Sequence, residues 1–353
     1  MDFDALNASI PGPKEQAAQA AQARLDDIAK PVGSLGELEA LLVRIASIGG
    51  DVDFAKRMVF VLASDNGVIL TEGVATTPPE ITVAMASFMA ERRSSVCIMA
   101  AQCNTDVELV DMGMFNKLDV PGILDRHVAD GTADLVVGPA MTPAQAEQAI
   151  QTGIDLVRDA KEKGYRLLAT GEMGIGNTTT SAALTTALLG LPPEQTTGRG
   201  VGLTDDELVH KTEKVKEAIA LHVPQALLVG DRESSAYAFD VLCRLGGFDI
   251  AGMCGIFLGG ALYGVPILVD GFISAISALV AVRLCPAAAY ALVPSHVSAE
   301  PGAVLVLKAL GLNPIIHAGM HLGEGTGAVA LIPILDQVAA VYRDLMTFAD
   351  IGM

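Results

Sequence analysis

The sequence predicts an α/β fold built around an open, mostly parallel sheet, and three observations carry that expectation. Short apolar runs bounded by turn residues alternate with Ala-rich stretches of helical length. Aromatic residues make up only 4% and Trp is absent, while Gly numbers 36, so the core must be built from Ala, Val, Leu and Ile with tight turns between elements. At 353 residues, 51% of them hydrophobic, the chain can bury a large core.

Residues 1–56 read as mostly polar-faced helix, interrupted by the loop Lys30-Pro31-Val32-Gly33-Ser34-Leu35-Gly36. The pattern then changes. Met58–Ala63 is an unbroken apolar run stopped by Ser64-Asp65-Asn66-Gly67, as expected of a strand covered on both faces. Val107–Val110, Asp134–Val137, Arg166–Thr170 and Pro266–Val269 are read the same way, with helices over 80–103, 143–163 and 177–190 between them. This alternation argues for right-handed βαβ units, whose ligand crevice lies beyond the strand C-termini. Residues 251–269 carry no charge, but they hold five Gly and one Pro and Asp270 follows at once. A buried helix, a turn at Tyr263-Gly264 and a buried strand fit this stretch better than a membrane span. Residues 300–353 return to helix, with a Gly-rich break at 323–327.

The formal net charge is −18, with 41 acidic against 23 basic residues, which argues against a nucleic-acid partner. A small anion is not excluded, because backbone N–H groups can hold phosphate inside an acidic protein. Cys97, Cys103, Cys243, Cys254 and Cys285 show no CxxC spacing and read as reduced core thiols. His317 and His321 stand four apart without a third ligand type nearby, so no metal site is expected. The acidic, amphipathic start of the chain lacks the basic and apolar regions of a signal peptide, and a cytoplasmic location is expected.

Five segments could carry chemistry. Gly171-Glu172-Met173-Gly174-Ile175-Gly176-Asn177-Thr178 lies at a strand–loop–helix junction, where Asn177 or a Thr could cap the helix and its first N–H groups could hold an anion. The bland reading is a tight capped turn; its GxxGxG spacing is not a dinucleotide fingerprint. Gly323-Glu324-Gly325 places a Glu between glycines before a helix, where burial could raise it into the range of a general base, or where it could simply be solvated. Ser295-His296-Val297-Ser298-Ala299-Glu300 offers a His and hydroxyls, for phosphate or ribose, but no GxSxG elbow for a hydrolase. Asp270, at the end of a strand, could bind ribose hydroxyls or cap the next helix. Gly198-Arg199-Gly200-Val201-Gly202 with Lys211 could cover a phosphate, although Lys211 alone reads more readily as a surface lysine.

Taken in order, eight stretches resemble the nicotinate-nucleotide:5,6-dimethylbenzimidazole phosphoribosyltransferase (CobT) family. They are KPVGSLGELE at 30–39, SDNGV at 64–68, GEMGIGNTT at 171–179, GRGVG at 198–202, GGFDIAGMCG at 246–255, VDGFISA at 269–275, PSHVSAEPG at 294–302 and HLGEGTGA at 321–328. The resemblance implies a Rossmann-like catalytic domain over 57–299, a small helical domain from 1–56 and 300–353, and a dimer. It also implies transfer of a ribose phosphate from nicotinate mononucleotide, a substrate, to an aromatic acceptor, with no cofactor and no metal. Carried onto this chain, the family's general base falls on Glu324, with Glu172 as a second, orienting carboxylate. Donor contacts fall on Gly174, Gly176, Asn177, Thr178, Gly200, Gly202, Lys211, Asp270, Gly271, Ser274, Ser295 and Gly325.

Two departures from the family pattern matter. Its usual Asp-His-Gly is Asp65-Asn66-Gly67 here. Its acceptor-pocket Ser and Gln fall on Thr77 and Met85, with Asn66 and Met173 completing the pocket. Met is apolar and adaptable, so a phenol or p-cresol is expected to fit better than a benzimidazole, which would lose a hydrogen-bonding partner. The phenolic branch of the family pairs two homologous subunits, so a heterodimer stands beside a homodimer. A non-catalytic supporting subunit is the alternative; the presence of both Glu172 and Glu324 argues against it.

Overall fold

The computed structural model describes residues 1–117 and 121–352. The chain opens with α1 (Phe3–Ser9), α2 (Glu15–Asp27) and α3 (Glu37–Gly49). Next come β1 (Arg57–Ser64), the single turn α4 (Val68–Thr71), α5 (Glu80–Ala90), α6 (Ser95–Gln102), β2 (Asp106–Gly113) and β3 (Ile123–Asp125). The middle holds α7 (Pro143–Glu162), β4 (Leu167–Met173), α8 (Asn177–Leu189), the short α9 (Pro193–Thr196), α10 (Asp205–Ala226) and α11 (Ser235–Leu245). It closes with α12 (Phe248–Tyr263), β5 (Ile267–Val269), α13 (Phe272–Leu284), β6 (Leu292–Pro294), α14 (Pro301–Leu310) and α15 (Thr326–Asp344).

All described strand pairings are parallel, and the six strands run in the order β3-β2-β1-β4-β5-β6. That is the doubly wound, Rossmann-like arrangement expected from the sequence, with its topological switch between β1 and β4. Every residue of β1 is buried, which accounts for its unbroken apolar run. The uncharged stretch is α12, a turn and β5; no helix among the described residues is long and apolar enough to cross a membrane. Its glycines have a packing reason. A Cβ on Gly153 of α7 would stand 2.0 Å from the Gly252 carbonyl, so these two helices meet backbone to backbone.

Several expectations are corrected. Asp134–Val137 is a turn: the Asp134 carboxylate accepts the Val136 N–H at 2.8 Å, its carbonyl accepts from Val137 and Gly138, and Val137 is exposed. The helix expected over 80–103 is two helices, broken at 91–94, where Arg92 takes a left-handed conformation and Ser94 caps α6. β3 and β6 are absent from the sequence reading: β3 is only half-buried and ends on Asp125, and β6 ends on Pro294, so neither shows a clean apolar run. β4 also runs on through Gly171-Glu172-Met173, which the glycine spacing suggests is loop.

Two contacts seat α15 against the sheet. Arg57, buried at the start of β1, forks onto Asp336 at 2.5 and 2.8 Å and also reaches the Cys103 carbonyl. Asp270, just past the end of β5, accepts the N–H of Ala328 in the first turn.

Candidate active site

A cavity of about 720 Å³ opens beyond the C-terminal ends of β4, β5 and β6, beside the switch point. β4 delivers Glu172 and Met173 to its floor, and the following loop and α8 add Gly174, Asn177 and Thr178. The segment after β5 adds Asp270, Gly271 and Ser274, and that after β6 adds His296, Ser298 and Glu300. Gly200, Gly202 and Glu324 also line it, and Thr77, Ile81 and Met85 reach in from α5 and the loop before it.

Glu324 owes its place to its neighbours. It has φ +61° between Gly323 at +86° and Gly325 at +89°, a left-handed run that a chain of ordinary residues rarely follows. Gly171 lets this loop press onto β4, since a Cβ there would stand 2.4 Å from the Glu324 carbonyl oxygen. The Glu324 carboxylate accepts the Val96 N–H at 3.2 Å, in the first turn of α6. Burial pushes its carboxyl above the usual range and the nearby Asp270 charge adds to this, while the Val96 N–H opposes it.

Glu172 stands in the same crevice. Burial, with Asp249 and Asp270 adding to it, pushes its carboxyl up to about 8, against a hydrogen bond from Asn177 and the Glu324 backbone N–H. The Asn177 amide does not cap α8. It donates to Glu172 and, at 3.4 Å, to Asp249, whose fully buried carboxyl is itself pushed up to about 6 by burial. Asp270 too is raised by burial, opposed by His296 and by backbone N–H donors. A carboxyl held near neutrality can take a proton from an attacking group and still be ionised part of the time.

A different corner suits an anion. Lys211 is 1% exposed, and its ammonium donates to Thr178 Oγ1 at 2.8 Å and to the Gly198 carbonyl at 3.1 Å. It is therefore no surface lysine. Burial lowers it to about 8, with Glu300 pulling the other way. In the cavity lining itself, Ile81, Met85, Met173, Ile175 and Leu322 supply apolar surface.

Of the residues singled out from sequence, Glu172, Glu324, Gly174, Asn177, Thr178, Gly200, Gly202, Asp270, Gly271, Ser274, Thr77, Met85 and Met173 line this cavity. Gly176, Gly325, Lys211, Ser295 and Asn66 are not part of its lining. The Asn66 amide donates to the Ile175 carbonyl at 3.2 Å, and Ser295 Oγ donates to the Val269 carbonyl at 2.5 Å. Ser274 Oγ accepts the Asp270 N–H at 2.9 Å and meets Thr170 Oγ1 at 2.6 Å. Sequence reading does not assign Ile81 or Leu322 to the site, and within the segment 295–300 it favours Ser295 where the cavity is lined by His296, Ser298 and Glu300. The parity of an extended segment, in which neighbours face opposite ways, is the available signal for His296 over Ser295.

This geometry has relatives. A family model described as phosphoribosyltransferase matches residues 10–353, and the chain is an enzyme of that class. The nicotinate-nucleotide–dimethylbenzimidazole phosphoribosyltransferase of Ruminiclostridium cellulolyticum is 39% identical over 352 residues, covering 99% of this chain and 97% of its own. That of Acetivibrio thermocellus is 43% identical over 331 residues, covering 93% and 92%. The crystal structure of CobT from Thermus thermophilus superposes with a TM-score of 0.87 at 38% identity, covering 96% of this chain and 99% of that one. The chain belongs to the nicotinate-nucleotide–dimethylbenzimidazole phosphoribosyltransferase family.

Proposed function

We propose that this enzyme moves the ribose phosphate of nicotinate mononucleotide onto an aromatic acceptor. The product is an α-riboside phosphate that supplies the lower ligand of a cobamide. The acceptor attacks ribose C1 from the face opposite nicotinate, so the anomeric centre inverts, and Glu324 takes the acceptor's proton. The observation that carries this reading is the buried carboxylate of Glu324, which lines the same cavity as the apolar side chains and the glycines of the anion corner. Glu172 orients the reacting groups. The phosphate rests among Gly174, Thr178, Gly200 and Gly202 with Lys211 behind them, and the ribose lies toward Asp270 and Gly271. Nicotinate is a stable leaving group, so placement of the two reactants does most of the work.

For the acceptor, Ile81 and Met85 on α5 favour a ring with few hydrogen-bonding groups, such as phenol or p-cresol, over 5,6-dimethylbenzimidazole. The experiment is direct: incubate the purified chain, alone and with a homologous subunit, with nicotinate mononucleotide and a panel of phenols and benzimidazoles. Products are identified by mass. Riboside phosphate from any acceptor supports the reaction; none from any pairing rejects it.

A further inference from the structure

We propose that Glu300 is an internal stand-in for the donor's phosphate: in the free protein its carboxylate occupies the Gly200 N–H, and substrate must displace it. The inference rests on the reading above that places the phosphate at residues 198–202 and Lys211.

Glu300 immediately precedes α14 and lines the cavity. Its Oε1 accepts the Gly200 N–H at 3.0 Å. A Cβ on Gly198 would stand 1.8 Å from its Oε2, so the carboxylate lies flat on the backbone of the glycine loop. Lys211 reaches the same loop through Thr178 and the Gly198 carbonyl. Glu300 Oε2 is buried with no hydrogen-bond partner among the described residues. A buried carboxylate oxygen without a donor is a cost to the free protein. That unmet oxygen makes Glu300 an imperfect occupant of the corner, one that an incoming anion can displace.

A phosphate entering the corner needs the Gly200 N–H and the Lys211 charge. It also carries up to about two negative charges of its own, and two anions in one poorly solvated corner repel. The Glu300 side chain has the cavity to turn into. Displacing it subtracts from donor affinity, because a ligand that must first empty its site binds more weakly by the cost of emptying it. In exchange, the glycine loop keeps its bound shape between turnovers, and the returning carboxylate helps the phosphate-bearing product leave.

The test uses the full chain with Glu300→Gln and Glu300→Ala. Binding of inorganic phosphate is measured by calorimetry, and KM and kcat for nicotinate mononucleotide are measured alongside. Gln keeps the shape and an acceptor for Gly200 but removes the charge; Ala removes both. Both variants should bind phosphate tighter, by about threefold to tenfold, with Ala the tighter, and KM should fall in parallel. A merely structural role would weaken binding, not strengthen it. Unchanged or weaker phosphate binding in both variants overturns the proposal, as does phosphate binding too weak to measure in all three proteins. If wild type transfers nothing from nicotinate mononucleotide, the donor assignment fails, while the phosphate comparison still judges Glu300.

Discussion

Asp270 Oδ1 accepts the Ala328 N–H at 2.9 Å, so the aspartate that follows β5 holds the first turn of the helix that follows Glu324. One side chain thus fixes the loop that presents Glu324 and, by its charge, adds to the upward push that burial gives the carboxyl there. The two effects can be separated. Asp270→Asn keeps an acceptor for Ala328 and removes the charge, so the Glu324 carboxyl should fall toward its ordinary range. The acid limb of the pH–rate profile should then move to lower pH. Asp270→Ala also loses the bond and should cost roughly 1–3 kcal/mol in urea unfolding. An acid limb that stays in place in the Asn variant means the charge does not act on the base.

Glu324→Gln keeps the shape of the side chain and removes its basicity. Turnover should drop by roughly 10²–10⁴ with little change in mononucleotide affinity. A rate near that of wild type would move the base elsewhere, with Glu172 the next residue to substitute.

Glu172 makes stability depend on pH in a calculable direction. Its carboxyl sits at about 8 in the folded chain against an ordinary value of 4.5, so between these values the folded state holds a proton that the unfolded chain has lost. This contribution is full below 4.5 and is lost as pH rises through about 8. Glu172→Gln cannot titrate, so its unfolding free energy should decline less steeply over that window. Denaturant midpoints at several pH values give the comparison, and parallel curves for the two proteins would contradict the assignment.

Met85 decides the acceptor test. It lies one helical turn after Ile81 on the cavity side of α5. In a mixture of phenol and 5,6-dimethylbenzimidazole, wild type should favour phenol by about tenfold, since roughly 1.4 kcal/mol is a factor of ten. Met85→Gln should shift the product ratio toward the benzimidazole. If wild type strongly favours the benzimidazole, or the ratio ignores the substitution, Met85 only packs in place.

Much of the sheet was legible because β1 and β5 are buried along their whole length and so read as plain apolar runs. Asp134–Val137 has a similar composition without the structure, since Asp134 folds its own backbone into a turn that outcompetes pairing. The glycine-flanked Glu324 could be found from sequence because such flanks ease its unusual backbone. Lys211 could not be ranked: its place on a charged helix looks solvated until α8 and the 198–202 loop cover it. Asp249 is also missing from the carboxylate group as read from sequence. It lies 72 residues beyond Asn177 in the chain and meets it only in three dimensions.

The left-handed backbone at Glu324 has an evolutionary consequence. A non-glycine residue in that conformation costs the fold about 1–2 kcal/mol, and a carboxylate buried there adds to the burden. Drift alone would replace it with Gly or Asn, which tolerate the conformation better. A lineage that had stopped using the reaction would therefore gain stability by losing this glutamate.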